Sequence, residues 1–269
     1  MSAACAQTSL SSLRPIGVAP EVERNAVWTV VPLLGALQPF GITVNGKGSV
    51  FFTELPSGKA KVLLPNGDIE SIVAHLKRAE GIAVFRKITY IADTGNLVVK
   101  RISSNGKVTT IGSGWDFPQS VATDSAGNLY VYDNGPRKIV RFHNNQQTNS
   151  ISIPSTCQGV TRGLGLDAHG NMYVSCYAEN EVLKIQPDGT ATEICTGWQS
   201  PFGITSDPAG DVYVANNKSQ AIFECTTSGQ LQTIMTNKKI GEVTGLAFHD
   251  SDLYVTSTDK RQIYKLTPP

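Results

Sequence analysis

The sequence lacks the marks of several large classes of protein. No apolar run approaches the roughly 18 residues that a membrane-spanning helix requires, so no membrane span is predicted. Lys and Arg number 23 against 22 for Asp and Glu, a balance that argues against a dedicated nucleic-acid binder. The five cysteines contain no CxxC pair, so we expect neither a metal cage nor a disulfide scaffold, and predict small buried side chains.

The first 25 residues also lack the features of a secretory signal. They are rich in Ser, Ala and Pro, and they contain neither a basic segment nor an apolar core. The default expectation is a cytoplasmic protein, with export as the alternative if a signal has been removed. We predict a poorly ordered extension over 1–25 and one domain over 26–269, acting as a monomer.

A repeat of about 40 residues dominates the rest of the chain. PFGITSDPAGDVYVANN at 201–217 closely resembles PFGITVNGKGSVFFTE at 39–54. Six aromatic residues recur at intervals of 39 to 43 residues: Phe51, Tyr90, Tyr130, Tyr173, Tyr213 and Tyr254. Nine or ten residues before each of them stands a small residue: Gly41, Gly81, Ser120, Gly163, Gly203 and Gly245. Repeats of this length are typical of propellers and solenoids.

Each repeat contains four short segments with the pattern of strands, separated by Gly-containing turns such as PNG, SNG, PDG and TSG. Four strands per unit predict an all-β fold, a six-bladed β-propeller. The last repeat ends after its third strand, at QIYKLTPP, whereas AVWTVVPLL at 26–34 has the pattern of a fourth strand. We therefore predict that the N-terminal strand completes the sixth blade and closes the ring, which protects the sheet edges.

Two positions per blade are predicted to face the mouth of the central channel. The first slot precedes the repeated small residue and holds Phe40, Glu80, Gln119, Arg162, Phe202 and Thr244. The second slot lies three residues after the repeated aromatic and holds Glu54, Asp93, Asp133, Cys176, Asn216 and Ser257. Apolar walls with a few polar groups are typical of small-molecule sites. The alternative is that these side chains cap strand ends, an interpretation strongest for Asp93 and Asp133.

The repeat pattern P-x-G-I-x-x-(D/N)-x-x-G-x-x-Y-V-x-(D/N) resembles the NHL-repeat propellers. It is also similar to the wider group of streptogramin lyases, SMP-30/gluconolactonase-like and strictosidine-synthase-like proteins, over about residues 26–269. The resemblance implies lyase, isomerase or hydrolase chemistry on a small organic molecule at the channel mouth. For NHL repeats it implies the alternative, a non-catalytic module that binds a protein partner on the disc face or a glycan.

A divalent cation, Ca or Mg, is the cofactor that the resemblance implies. Glu80 matches the Glu-Gly element of the SMP-30-like enzymes, and Asp93 and Asp133 are the other candidate ligands. The remaining first-slot residues supply no further carboxylate, and Arg162 would repel a cation. The lyase resemblance implies a catalytic His, but none of the four histidines (His75, His143, His169 and His249) occupies a mouth slot.

Glu80 and Arg162 are the candidate catalytic residues, as an acid–base group and a support for negative charge, or as a clamp on a polar ligand. A plain salt bridge between them is the alternative. The candidate substrate-binding residues are Phe40, Gln119, Phe202, Thr244, Glu54, Asp133, Cys176 and Asn216. Cys176 is also considered as a reactive thiol. No G-x-S-x-G motif supports a serine nucleophile.

Overall fold

The computed structural model describes residues 28–35, 38–236 and 239–269, and the predicted extension over 1–25 lies outside them. Within the described residues, 24 strands form six four-stranded antiparallel sheets, and one short 3-10 helix spans Thr94–Asn96. The prediction of an all-β, six-bladed propeller is confirmed. None of these residues belongs to a helix that is both long and apolar enough to cross a membrane.

The strands of the first five blades follow one another in chain order, from the channel outward. The first blade contains β2 (Pro39–Val44), β3 (Val50–Glu54), β4 (Lys59–Leu63) and β5 (Ile69–Val73). The second contains β6 (Ala79–Phe85), β7 (Ile88–Asp93), β8 (Val98–Ile102) and β9 (Val108–Ile111). The third contains β10 (Pro118–Thr123), β11 (Leu129–Asp133), β12 (Lys138–His143) and β13 (Gln146–Ser152). The fourth contains β14 (Thr161–Leu166), β15 (Met172–Cys176), β16 (Glu181–Ile185) and β17 (Ala191–Glu193). The fifth contains β18 (Pro201–Ser206), β19 (Val212–Asn216), β20 (Ala221–Cys225) and β21 (Leu231–Thr236).

The sixth blade is built from both ends of the described chain, as predicted. It contains β22 (Val243–His249), β23 (Asp252–Ser257), β24 (Gln262–Thr267) and, on the outside, β1 (Thr29–Gly35). Strand β1 pairs antiparallel with β24, with Thr29 opposite Thr267 and Pro32 opposite Tyr264. The innermost strands of the first and sixth blades contact each other, so the ring is closed.

The second strand of a blade is buried on both faces, because it lies between two neighbouring blades. Tyr90 belongs to the apolar core shared with the third blade, whereas the next residue, Ile91, belongs to the core shared with the first. Tyr130 and Val131 divide in the same way between the fourth and second blades. The repeated aromatic is therefore the side chain that each blade packs against the following one, because strand side chains alternate between faces.

The repeated small residue lets neighbouring innermost strands approach each other at the axis. A Cβ atom on Gly163 would lie 2.6 Å from the carbonyl oxygen of Phe202, and one on Gly81 would lie 2.9 Å from that of Gln119. Both obstacles are backbone atoms, which cannot rotate away. Ser120 is the exception, and its hydroxyl donates to the carbonyl oxygen of Arg162 at 3.4 Å.

A Gly41→Ala substitution is expected to destabilise the ring by about 1–3 kcal/mol, because the new methyl group would overlap the carbonyl oxygen of Glu80. The thermal midpoint should fall by about 2–4 °C per kcal/mol, measured by calorimetry. Ser120→Ala is the matched control, since the same position in the repeat already carries a Cβ atom. We expect it to cost about 1 kcal/mol or less. Equal midpoints for the Gly41 variant and the wild type would contradict the close-approach argument.

Four of the five cysteines form two disulfides, which corrects the expectation of unpaired cysteines. Cys157 and Cys176 tie the segment that leads into the fourth blade to the end of its second strand. Cys195 and Cys225 join the segment after the fourth blade to the third strand of the fifth. The expectation failed because spacing along the chain does not reveal which positions the ring brings to Cα separations of 5.4 and 6.1 Å.

Candidate functional site

A small cavity lies on the propeller axis and is lined by residues of the six innermost strands. We name the end of the disc where these strands begin the mouth face, and the opposite end the far face. The cavity has a volume of about 70 Å³, and five of the six predicted first-slot residues line it: Phe40, Glu80, Gln119, Arg162 and Thr244. Most of the side chains that the sequence assigned to the first slot therefore share one cavity.

Glu80 is the one carboxylate that the described residues contribute to the axial cavity, and it is 1% exposed. Its Oε1 accepts a hydrogen bond from Nε of Arg78 at 2.6 Å. Its Oε2 is buried and has no hydrogen-bond partner among the described residues. The Arg78 side chain is 51% exposed, so solvent weakens this ion pair. One carboxylate oxygen is thus held by the protein, and the other is left for a different partner.

Gln119 and Arg162 supply further buried polar atoms without a protein partner. Gln119 is 1% exposed, and both its Oε1 and its Nε2 lack a partner in the described chain. Nε of Arg162 is also buried and lacks a hydrogen-bond partner among the described residues. With Oε2 of Glu80, these atoms belong to residues of the second, third and fourth blades that line the same cavity. Most buried polar groups in folded proteins are hydrogen-bonded, so a cluster of unpaired ones is a functional signal.

Aromatic rings hold the guanidinium of Arg162 in place. Its central carbon lies 5.2 Å from the ring centroid of Phe202 and 5.6 Å from that of Tyr177. Phe202, the first-slot residue outside the cavity lining, also packs edge-on against Phe40 at 5.7 Å. Arg162 and Glu80 do not form the salt bridge that the sequence left open: the carboxylate pairs with Arg78 instead. Sequence reasoning gave no role to Tyr177 or Arg78, because neither stands at a repeated position.

Thr244 lines the cavity but its hydroxyl is already engaged. It lies 2.9 Å from the hydroxyl of Thr258 and 3.3 Å from that of Thr256. It also donates to the backbone carbonyl oxygen of Phe40 at 3.4 Å. This network joins the sixth blade to the first at the point where the ring closes. Thr244 therefore stabilises the wall of the cavity, and its assignment to substrate binding stays a prediction.

Three of the second-slot residues hold backbone segments instead of lining the axial cavity. In each case a side-chain oxygen at the end of a second strand accepts an N–H from the segment that leads into the first strand of the same blade. The distances are 2.7 Å for Asp93 to Lys77, 2.7 Å for Asp133 to Phe117 and 2.6 Å for Asn216 to Gln199. We call this contact the latch. It is the capping role that the sequence offered as the alternative.

The fourth and sixth blades form the latch with residues outside the second slot. Glu179 accepts from the backbone N–H of Gly159 at 2.6 Å, and Asp259 accepts from that of Glu242 at 2.7 Å. Burial alone would raise the pKa of Asp259, but hydrogen bonds from Glu242, Ser257 and Lys260 outweigh it and lower the pKa. Ser257, in the second slot, donates to Asp259 at 3.0 Å.

Glu54 and Cys176, the two remaining second-slot residues, are also bound to other protein groups. Glu54 is buried, accepts from Ser57 Oγ at 2.9 Å and pairs with Lys61 Nζ at 2.9 Å. Cys176 is fully buried and bonded to Cys157, so the hypothesis of a reactive thiol is wrong. Through the disulfide, Cys176 anchors the segment that precedes Arg162.

A groove of about 640 Å³ lies beside the axial cavity on the mouth face. Tyr177 of the fourth blade lines one part of it, and the turns of the fifth and sixth blades line the rest, including Asn217, Lys218 and Lys260. Tyr177 also lies against the guanidinium of Arg162, which lines the cavity, so this contact links the groove to the cavity. Oδ1 of Asn217 is another buried atom without a partner in the described residues.

The residues present do not fit the metal centre that the family resemblance implied. Among the described residues, no group of three or more His, Cys, Asp or Glu side chains could hold a metal ion. Asp93 and Asp133 are occupied by backbone N–H groups, and Arg162 lines the same cavity as Glu80. A hard cation requires several oxygen ligands, so we derive no step through a metal.

The histidines and tryptophans lie away from the axial cavity. His169 and His249 line a depression on the far face, and His143 contacts Asn128 at 2.8 Å. Trp115 and Trp198 are buried between blades, and each indole N–H donates to a backbone carbonyl oxygen.

Comparison with known proteins identifies structural relatives only. No family model matches the sequence, and no curated protein matches it. A gluconolactonase from Xanthomonas campestris superposes with a TM-score of 0.75 at 14% identity, covering 96% of this chain and 99% of its own. A streptogramin B lyase gives 0.71 at 16% identity, covering 90% and 98%. A chain of a nidogen/laminin complex gives 0.66 at 19% identity, covering 78% and 84%. These similarities confirm the predicted resemblance in fold: the chain is a six-bladed β-propeller similar in architecture to these proteins.

Proposed function

We propose that the axial cavity binds a small organic molecule and that Glu80 acts on it as a general acid or base. The observation that carries the proposal is the set of buried, unpaired polar atoms on Glu80, Gln119 and Arg162. Each unpaired buried group costs the fold about 1–3 kcal/mol, so three neighbouring blades bear a cost that a ligand would offset. Binding and catalytic sites commonly lower the stability of the fold in this way.

The three side chains have complementary roles. Oε2 of Glu80 can accept or donate a proton. The hydrogen bond from Arg78 to Oε1 fixes the orientation of the carboxyl group. Nε of Arg162 and Nε2 of Gln119 are donors that can stabilise negative charge developing on a substrate oxygen. Proton transfer next to donors of this kind serves lyases, isomerases and hydrolases. The same donor set does not distinguish among the three classes.

Two of the structural relatives support the proposal by analogy. The gluconolactonase and the streptogramin B lyase are enzymes built on the same architecture. Because one fold hosts many chemistries, this analogy favours an enzyme without specifying a reaction. The Ca or Mg ion that the family resemblance implied has no ligand set among the described residues, so the chemistry proposed here relies on protein groups alone.

The second candidate function is a protein- or glycan-binding module. Its supporting observation is that exposed aliphatic side chains occur on the outermost strands of three consecutive blades: Val31 on β1, Ile69 on β5 and Val108 on β9. Exposed apolar residues on a rim are used for protein recognition when they form a continuous patch. One relative in the comparison comes from a complex of two proteins.

A thermal-shift screen against a metabolite library and divalent cations tests the proposal. A ligand present at 100 times its Kd should stabilise the protein by about 2.7 kcal/mol, which raises the midpoint by several degrees. The shift should disappear in Gln119→Ala and persist in His169→Ala, a control on the far face. Hits that are indifferent to Gln119→Ala, or a library without hits, would contradict a ligand site on the axis.

A further inference from the structure

The volumes of the axial cavity and of the groove indicate which part of a ligand each of them can hold. The axial cavity of about 70 Å³ is far smaller than the roughly 300–1,000 Å³ of sites that enclose whole organic ligands. The adjoining groove, at about 640 Å³, is within that range. A small functional group therefore fits on the axis, whereas the body of the molecule has to lie in the groove beside Tyr177.

The order of the polar groups around the axis indicates which functional group enters. Arg162 has a donor without a protein partner, and its guanidinium plane is fixed against Phe202 and Tyr177. Guanidinium groups held in this way bind carboxylates through two parallel hydrogen bonds. Glu80, two blades away, presents an acceptor, and Gln119 stands between them with one donor and one acceptor. The complement is a carboxylate with a hydrogen-bond donor close by.

Building on the proposed function, we propose that the ligand is an organic acid with a hydroxyl or amino group next to its carboxylate and an aromatic group that packs against Tyr177. The carboxylate binds Arg162 and Nε2 of Gln119. The neighbouring hydroxyl or amino group donates to Oε2 of Glu80, which keeps the ligand carboxylate away from the Glu80 carboxylate. The aromatic group leaves the axis and packs against Tyr177 at the edge of the groove, whose other side chains are polar or charged.

Four isosteric probes test the two polar contacts separately by calorimetry on the full chain. Mandelate carries both the carboxylate and the hydroxyl, phenylacetate only the carboxylate, mandelamide only the hydroxyl, and phenylacetamide neither. We expect mandelate to bind most tightly. Arg162→Gln should weaken the two acids about tenfold or more and leave the two amides within about twofold, because only the acids lose a charge-assisted pair. Glu80→Gln should reduce the advantage of mandelate over phenylacetate, because the ligand hydroxyl loses its carboxylate acceptor, and it should not weaken the binding of phenylacetate.

Controls separate this inference from the proposed function. Arg86→Gln on the far face removes another arginine that lies against a ring, Phe85 at 5.1 Å, and should leave all four affinities unchanged. Equal binding of acids and amides, or equal losses for all four probes in Arg162→Gln, would overturn the carboxylate assignment while a ligand site on the axis still stands. Tighter, Arg162-dependent binding of phenyl phosphate would replace carboxylate by phosphate. Equal affinities for glycolate and mandelate would overturn the role of the groove. If none of the acids binds while other library compounds do so in a Gln119-dependent manner, the inference fails and the proposed function survives.

Discussion

Reduction of the two disulfides is expected to lower the midpoint of thermal unfolding by at least about 10 °C. The bonds close segments separated by 19 and 30 residues. In the chain-entropy description, loops of these lengths contribute about 3 and about 4 kcal/mol. A protein of this size loses about 2–4 °C per kcal/mol. Calorimetry with and without dithiothreitol measures the change, and thiol titration of the unfolded chain should find at most one thiol before reduction and five afterwards.

Separate removal of the bonds should distinguish stability from site geometry. Cys157→Ser/Cys176→Ser removes the bond that anchors the segment before Arg162. Cys176 also pairs in the sheet with Thr161, the residue that precedes Arg162. We expect this variant to lose both stability and ligand affinity. Cys195→Ser/Cys225→Ser lies away from the axis and is the matched control, which should lose stability alone. An unchanged midpoint after complete reduction would contradict the stabilising role of both bonds.

The disulfides also bear on the compartment. Disulfides persist in oxidising environments and are rare in the reducing cytoplasm. We therefore expect the protein to act in an oxidising compartment, in place of the default drawn from the absence of a signal in residues 1–25. Recovery of the oxidised protein from such a compartment, by non-reducing electrophoresis, would support this expectation. Complete reduction in its native setting would contradict it.

A Glu80→Gln variant is expected to lose turnover by roughly 10²–10⁴-fold on any compound that the wild type transforms. Gln has nearly the same shape as Glu, but it can neither accept nor donate the proton that the proposed chemistry requires. The midpoint of unfolding should change little, because the Arg78 partner is half exposed and the ion pair contributes little stability. Steady-state kinetics should show the loss in kcat, with KM changed less.

Two further variants test whether the loss of turnover belongs to the Glu80 carboxyl group itself. Glu70→Gln makes the same chemical change on the exposed outer strand of the first blade and should keep full turnover. Arg78→Ala removes the partner of Oε1 and should lower turnover far less than Glu80→Gln, since it leaves the reacting carboxylate in place. Turnover of Glu80→Gln within a few-fold of the wild type would remove Glu80 from the mechanism. A large fall in its midpoint would assign Glu80 a structural role.

Much of the candidate site was predictable because it follows the repeat. The residue before each repeated glycine begins an innermost strand, so periodicity alone placed Glu80, Gln119 and Arg162 at the axis. The second slot was placed equally well along the strand, but lining of the channel and capping of the strand end stayed open as alternatives. Its side chains bind backbone N–H groups on entering segments, as Asp93 does with Lys77 across 16 residues. A pattern in the sequence predicts the position of a residue within a blade. It does not predict which group in the folded blade that side chain will contact.

The sequence by itself determined the six blades, their four strands, the closing strand and the residues that begin the innermost strands. These features are local: they depend on turns, on strand alternation and on a glycine where two backbones meet. Only the tertiary structure decided which polar atoms have partners, which cysteines join and which ring holds Arg162. Arg162 and Tyr177 belong to the fourth blade and Phe202 to the fifth, and Cys157 meets Cys176 only when the segment entering the fourth blade folds back. Such contacts join residues that are not neighbours in the chain, so they exist only once the strands of a blade have paired and the blades have packed together.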